Sequence, residues 1–371
     1  MHRVSSLKMC VSVLVAGCLS LTVTSAQAPT PQAPPVAPGA AGPPPGRAQG
    51  PPQGPPQAPP PSPASIERAG QILAEARKAM GGDKLAATTS ILVTGQTRRV
   101  RGDNLVPIEF EIAVELPDKY VRKDEVPAEE SEPTSTGFVG AEVIQFPLPP
   151  AGRPGGPPGA APAGAAGRPG GPPPAPSPAQ LEAQRAARLN TAKQDFARLA
   201  LGLFADSVAT FPMTFAYAAQ AQAPQGTADV LDVRGPANFT ARLLIATDTH
   251  LPIMVSWQAP PTGVVVTTPG QPAPRTVAPG AVIIAAPPAP AATAAQEEKD
   301  NYTKQVAAMR QKALATPVEH RLYYADYRDV EGVKFPFRLR RAIGPDTTEE
   351  TTFDRFRLNT KIDPRKFAVG R

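Results

Sequence analysis

The sequence predicts a mainly β protein with a few helices, built on an antiparallel sheet that is apolar on one side, and three stretches predict it. The first is 318–367, which holds three strand-like runs broken by Asp329-Val330-Glu331-Gly332 and by Gly344-Pro345-Asp346. Gly332 can take the positive φ that such a hairpin connection often requires. In the middle run Val333, Phe335, Phe337, Leu339 and Ile343 fall on one side, and Lys334, Arg338 and Arg340 on the other. That is the period of two of a half-buried strand. The second stretch is 106–116, where Val106, Ile108, Phe110, Ile112, Val114 and Leu116 alternate with Glu109, Glu111 and Glu115. The third is 239–246, with Phe239, Ala241, Leu243 and Ile245 on one face. Connections between consecutive runs are too short for crossover helices, so the pairing is expected to be antiparallel.

Taken in order, residues 1–28 read as an export signal: Arg3 and Lys8 precede a largely apolar run over 11–23, and Thr24-Ser25-Ala26-Gln27-Ala28 supplies small residues for cleavage. The run is too short to span a membrane and stay there. Two processing routes are open. Val15-Ala16-Gly17-Cys18 resembles a bacterial lipobox, which would lipidate Cys18 and anchor the chain at the outer membrane. Cleavage near Ala26 or Ala28 would instead release a soluble periplasmic protein, a reading favoured by the apolar residues Leu19, Leu21 and Val23 beyond Cys18. Residues 29–61, rich in Pro, Ala, Gly and Gln, form a tether unable to bury a core.

Folded sequence is expected over 62–371, as one domain with low-complexity insertions at 147–178 and 259–292. Ser62-Pro63 or Ser65 caps a helix striped by Ile66, Ala69, Leu73, Ala76 and Met80 and stopped by Gly81-Gly82. Strands follow over 91–101, 106–116, 119–126 and 137–146. After the second Pro/Gly/Ala tract, Ser177-Pro178 caps a helix reaching Phe204, with Leu189, Ala192, Phe196, Leu199 and Leu203 as its stripe. Four more strands are predicted over 213–223, 228–234, 239–246 and 251–258. The insertion 259–292 reads as a linker, although Val264-Val265-Val266 and Val282-Ile283-Ile284 offer a short apolar hairpin or a segment that dips into a membrane surface. Thr293 with Gln296 then resembles a capping box for a helix to Ala315, with the weak face Tyr302, Val306, Met309 and Ala313.

Composition excludes several functions. With 50 Pro and 30 Gly gathered mostly in tracts, the 371 residues supply one modest core and not two. The net charge of +6 is spread among acids, and no basic run interleaved with aromatics supports nucleic-acid binding. Both cysteines, Cys10 and Cys18, lie in the signal, so the body has neither disulfide nor thiol chemistry. No HExxH, CxxC, GxSxG or phosphate-loop pattern occurs in a supporting context, so an enzyme, a metal and a cofactor are not expected. His250 reads as a turn residue and His320 as a surface strand residue. Asp326 and Asp329 read as hairpin chemistry and not as metal ligands. Lys334, Arg338, Arg340 and Arg341 read as a solvated basic stripe, or one that meets anionic headgroups.

Several local sequences resemble one known family. Ala79-Met80-Gly81-Gly82-Asp83-Lys84-Leu85 followed by Thr94-Gly95 looks like the helix-to-strand entry of periplasmic LolA/LolB-like lipoprotein-sorting proteins. Leu116-Pro117-Asp118-Lys119-Tyr120 is similar to their Pro-Asx-x-aromatic turn, with Leu116 where the carrier itself has an Arg. Asp326-Tyr327-Arg328 with Gly332-Val333-Lys334-Phe335-Pro336 resembles their late hairpin, and Ile362-Asp363-Pro364 with Phe367 their closing tail.

The resemblance implies an incomplete antiparallel β-barrel closed by helices, and a lipid or lipidated protein as partner. On this reading Ile108, Phe110, Ile112, Val114, Phe239, Ala241, Leu243, Ile245, Phe335, Phe337 and Leu339 line a hydrophobic cavity. Leu73, Met80, Phe196 and Leu199 belong to its lid helices. Apolar strand faces most often form ordinary core, but a curved sheet covered by only two good amphipathic helices can leave a space that holds a ligand. The other expectation is a filled barrel that acts as a structural module of the cell envelope.

Overall fold

The computed structural model describes residues 60–102, 104–127, 132–147, 177–223, 226–270 and 277–368. The signal, Cys18 and nearly all of both proline tracts lie outside the described residues.

Helix α1 (Pro63–Met80) starts where predicted, with the Ser62 hydroxyl accepting the Ser65 N–H at 3.2 Å and Pro63 in the first turn. Its buried stripe is Ala69, Ile72, Leu73, Ala76 and Met80. Ile66, expected in that stripe, is exposed, and Ile72 takes its place. Gly81 ends the helix at φ 138°, where a Cβ would also press on the Gly332–Val333 backbone. A single turn, α2 (Asp83–Ala86), leads into the sheet.

Strands β1 (Ser90–Arg101), β2 (Asn104–Glu115) and β3 (Lys119–Glu125) form a meander. The run 137–146, predicted as one strand, is a hairpin of β4 (Thr134–Val139) and β5 (Glu142–Phe146), because Gly140 adopts φ 56° and folds Glu142 back onto Val139. Helix α3 (Pro178–Phe204) is opened by a complete capping box between Ser177 and Gln180. Then come β6 (Thr214–Ala223), β7 (Gly226–Gly235), β8 (Phe239–Ala246) and β9 (Pro252–Ala259).

The insertion is more ordered than a linker. It holds β10 (Gly263–Thr267) and β11 (Ala281–Ala285), paired parallel and not as a hairpin. Helix α4 (Gln296–Ala315) packs on both strands. The capping box expected from Thr293 and Gln296 is not formed: the N-cap is Ala295, and Gln296 donates instead to Asp300 at 2.9 Å. Only Ala313 of its expected face is buried. The chain closes with β12 (Val318–Val330), β13 (Val333–Ile343), β14 (Asp346–Leu358) and a 3-10 turn (Pro364–Phe367).

Twelve strands form one antiparallel sheet in the order β5-β4-β3-β2-β1-β14-β13-β12-β9-β8-β7-β6. The edges β5 and β6 do not pair, so the barrel is incomplete. Helix α3 packs on β4 and β5 near one edge and also on β13 and β9 past the middle, which requires the sheet to curve around it. Helix α1 lies on β6 and β13. One core joins both helices to the inner face of the strands. A smaller one, with Leu92, Ala113, Val121 and Ile144, is covered on the outer face by Ile362 and Phe367 of the tail.

Candidate functional site

Alternation along the strands divides the concave face into an apolar part and a polar part. The apolar part holds the residues singled out from the sequence. Ile108, Phe110, Ile112, Val114, Phe239, Ala241, Leu243, Ile245, Phe335 and Phe337 are all buried, and Leu339 is half-buried. All but Ile108 join or pack against the single core that also contains Leu73, Met80, Phe196 and Leu199 of the helices. Aromatic pairs hold it together. Phe335 stacks on Phe356 at 4.9 Å, Phe110 meets Phe353 edge-on at 5.6 Å, and Phe196 of α3 contacts Tyr120 at 4.7 Å and Phe138 at 5.7 Å.

In this conformation those side chains face protein. The nine residues of α3 from Phe196 to Phe204 are buried on every side of the helix, as a segment lying inside a concavity must be. Gly202 sits against the Tyr324 ring, where any Cβ would collide with it. The Tyr324 hydroxyl donates to the Arg198 carbonyl, and the Tyr327 hydroxyl lies within hydrogen-bond range of the Gly202 carbonyl at 3.2 Å and the Pro252 carbonyl at 2.8 Å. Burial raises the pKa of both phenols well above the ordinary value, which keeps them protonated donors. Tyr120 is pushed up to about 12, chiefly by burial.

The polar part lies toward the end of the half-barrel where β1, β3, β9 and β13 finish and β12 and β14 begin. Here the inward positions are Thr97 and Arg99 of β1, Arg122 and Asp124 of β3, and Glu349 and Thr351 of β14. Arg122 donates to Asp124 at 2.6 Å and to the Thr97 hydroxyl at 3.1 Å, and lies 3.9 Å from Glu349. Arg99 holds Glu349 at 2.9 Å, and the Thr97 and Thr351 hydroxyls bond each other at 2.8 Å. Burial alone would raise the Glu349 carboxyl, but Arg122, Arg341 and Arg99 outweigh it and hold its pKa below the ordinary value. Of all these residues the sequence singles out only Arg341.

Arg341 was expected in the outward basic stripe. Its position is odd-numbered, like those of Phe335, Phe337 and Leu339, and it turns inward: its charge acts on Tyr120, Arg198, His320, Tyr324 and Glu349. Lys334, Arg338 and Arg340 are exposed, as expected. His320 also departs from expectation. It lies half-buried against Trp257, ring centroids 5.3 Å apart, with Nε2 buried and without a hydrogen-bond partner among the described residues. Burial first, then Arg198 and Arg341, hold its pKa below the ordinary imidazole value. Arg198 of α3 stacks 4.4 Å over Trp257 and donates to Asp195 at 2.9 Å and Gln194 at 3.3 Å. Its Nε is buried without a partner among the described residues. The signal that would have found Arg341 and His320 is strand parity, applied to the polar residues as well as to the apolar ones.

Two concavities lie on the outer face. One, of about 570 Å³, is lined by Arg98, Arg338, Arg340, Tyr323, Glu350 and Asp354 among others, and the second, of about 440 Å³, by Glu109, Glu111, Glu125, Lys123 and Lys366 among others. Asp326 pairs with Arg328, and Asp329 caps the Gly332 N–H at 2.9 Å, both as hairpin chemistry. Among the described residues no cluster of three His, Cys, Asp or Glu is placed to hold a metal ion, and no helix is long and apolar enough to cross a membrane.

No family model and no curated protein matches the sequence. Among solved structures, the chain is similar to a LolA superfamily protein from Nitrosomonas europaea, at 10% identity over 80% of this chain and 96% of that one, TM-score 0.39. It is also similar to a DUF1329 family protein from Desulfovibrio piger, at 7% identity over 82% and 97%, TM-score 0.38. A Vibrio parahaemolyticus domain named for outer membrane lipoprotein sorting is similar at 7% identity over 81% and 97%, TM-score 0.37. Likeness at this level says nothing of function.

Proposed function

We propose that the concave face binds an acyl chain, a lipid or a lipidated protein in the periplasm, with α3 as the lid that gives way to it, in the service of lipoprotein sorting to the outer membrane. The observation that supports this reading is the seat of Arg198. Docking α3 buries a guanidinium between Trp257 and Phe239, beside the like charge of Arg341, with Nε unpaired among the described residues. Desolvation, opposed by Asp195, lowers the Arg198 pKa. An unsatisfied buried donor costs about 1–3 kcal/mol. The lid therefore carries an unsatisfied buried donor at the point where it crosses the concave face. A ligand that replaces it gains about 0.8 kcal/mol for each methylene buried, so a tail of a dozen carbons offsets the loss of several side-chain contacts.

A second reading, a filled barrel serving as a structural envelope module, is favoured by the close fit of Gly202 to Tyr324. Two variants of α3 separate the readings. Gly202→Ala drives a methyl into the Tyr324 ring and should loosen the lid, raising uptake of an uncharged fluorescent acyl ester several-fold while lowering the melting temperature. Arg198→Leu removes the buried charge and should do the reverse. If neither variant nor the parent protein takes up the ester, while both melting temperatures move as stated, the barrel is a filled module and the binding proposal fails.

A further inference from the structure

We infer that the polar end of the concave face is a receptor for an anionic headgroup, a carboxylate or a phosphate, with Arg341 as its principal contact and His320 beside it. The inference rests on the binding proposal and adds the ligand's charge to it.

Charge is unbalanced at this end. The inward cations are Arg99, Arg122, Arg198 and Arg341, and the anions are Glu349, Asp124 and Asp195. Asp124 is held by Arg122 at 2.6 Å, and Asp195 by Arg198 at 2.9 Å. Glu349 stands directly opposite Arg341 across the β13–β14 ladder, yet it is committed to Arg99 at 2.9 Å and approached by Arg122 at 3.9 Å. Among the described residues the Arg341 guanidinium has neither an ion-pair partner within 4.0 Å nor a hydrogen bond. It is half-buried, so water compensates it only in part.

Two further polar nitrogens at this end are buried without a hydrogen-bond partner among the described residues. His320 pairs with Ile343 and its neighbour Leu322 with Arg341, so His320 and Arg341 are diagonal neighbours across the β12–β13 ladder. Such pairs lie about 7–8 Å apart, near enough for long side chains to share one anion. His320 Nε2 is buried and unpartnered among the described residues, and so is Nε of Arg198, whose residue is only 9% exposed. A guanidinium presents a planar fork of donors that matches a carboxylate or phosphate bidentately. The apolar part of the face adjoins this cluster through Leu339, Phe337 and Phe110. Arg122 itself stacks 4.7 Å over Phe110. An amphiphile with its head at Arg341 would lay its tail along those residues.

The test compares a pyrene-labelled fatty acid with its methyl ester, and lysophosphatidic acid with the matching monoacylglycerol, by fluorescence titration or competition. The parent protein should favour each anion over its neutral counterpart at least tenfold, and the larger of the two ratios identifies carboxylate or phosphate as the natural head. Arg341→Gln, with its fold checked by circular dichroism, should reduce the ratio several-fold and leave ester binding nearly unchanged. Arg338→Gln, on the outer face of the same strand, should preserve the ratio. An unchanged ratio in Arg341→Gln, or an equal drop in Arg338→Gln, would overturn the headgroup assignment while sparing the binding proposal. If the parent protein binds neither acid nor ester, both fall together.

Discussion

Replacing Glu349 by glutamine removes the anion on which the inner polar cluster is built. The side chains of Glu349 and Arg122 are 10% and 16% exposed, so the pair is buried, whereas Arg99 is 36% exposed and its contribution is discounted for solvent screening. Breaking a buried pair from one side costs about 3–5 kcal/mol. Arg122 keeps Asp124 at 2.6 Å and the Thr97 hydroxyl, and the substituted amide can still accept one hydrogen bond, which brings the expected loss to about 2–3 kcal/mol. For a domain of this size that lowers the melting temperature by about 4–12 °C. The pH dependence has a definite sign. Because the Glu349 pKa is held below the ordinary carboxyl value of 4.5, its contribution is fully present above that value and is lost as pH falls through the folded-state pKa. Thermal unfolding followed by circular dichroism at pH 7 and at stepwise lower pH should show a gap between the two proteins that narrows on acidification. A variant within about 0.5 kcal/mol of the parent at pH 7, the range of an ordinary surface substitution, or a gap that persists unchanged into acid, would refute the assignment of this cluster as a buried ion-pair network.

His320 should give a second pH signature, since its depressed pKa means that stability falls as pH drops from the ordinary imidazole value of 6.5 toward the folded-state pKa. His320→Gln should flatten that part of the stability profile, measured by urea unfolding between pH 5 and 7; a profile of unchanged slope would place the imidazole in a solvated setting. At the parallel pair, Ile283 is 53% exposed and stands in register with Val265. Both side chains are already partly buried, so withdrawing the rest from water is worth about 2 kcal/mol, and the parent protein should co-sediment with liposomes more strongly than the double variant Val265→Asp with Ile283→Asp. Equal partitioning, with both proteins folded, would leave these residues as a structural rib on α4.

Elements with a strong period were readable from the chain itself. The alternations over 106–116 and 333–339 match the burial seen along β2 and β13, and Ser177 with Gln180 marks the start of α3. What failed was governed by longer-range packing. Gly140 splits a strand because its conformation is left-handed, which the apolar pattern of 137–146 does not reveal. Ile66 has helical spacing but stays exposed while Ile72 is buried. Pairing of Val265 with Ile283 joins segments of parallel direction across a Pro-rich connection, and no local pattern encodes that direction. The inner polar cluster escaped because charged residues near strand ends read as solvated. Thr97, Arg99, Arg122, Glu349 and Arg341 all obey the inward parity of their strands, and only the curvature of the sheet around α3 buries them. The crowding of α3 against Tyr324 depends on Gly202, a position where helix propensity alone would disfavour glycine.

The claim that the concave face takes an acyl ligand is tested most directly by native mass spectrometry of protein purified without detergent and incubated with a long-chain fatty acid. The account predicts one bound fatty acid per chain, a fraction that rises in Gly202→Ala and falls in Phe337→Glu, where a carboxylate stands on the apolar face. A spectrum showing only the bare protein mass, for the parent and for Gly202→Ala alike, would contradict it.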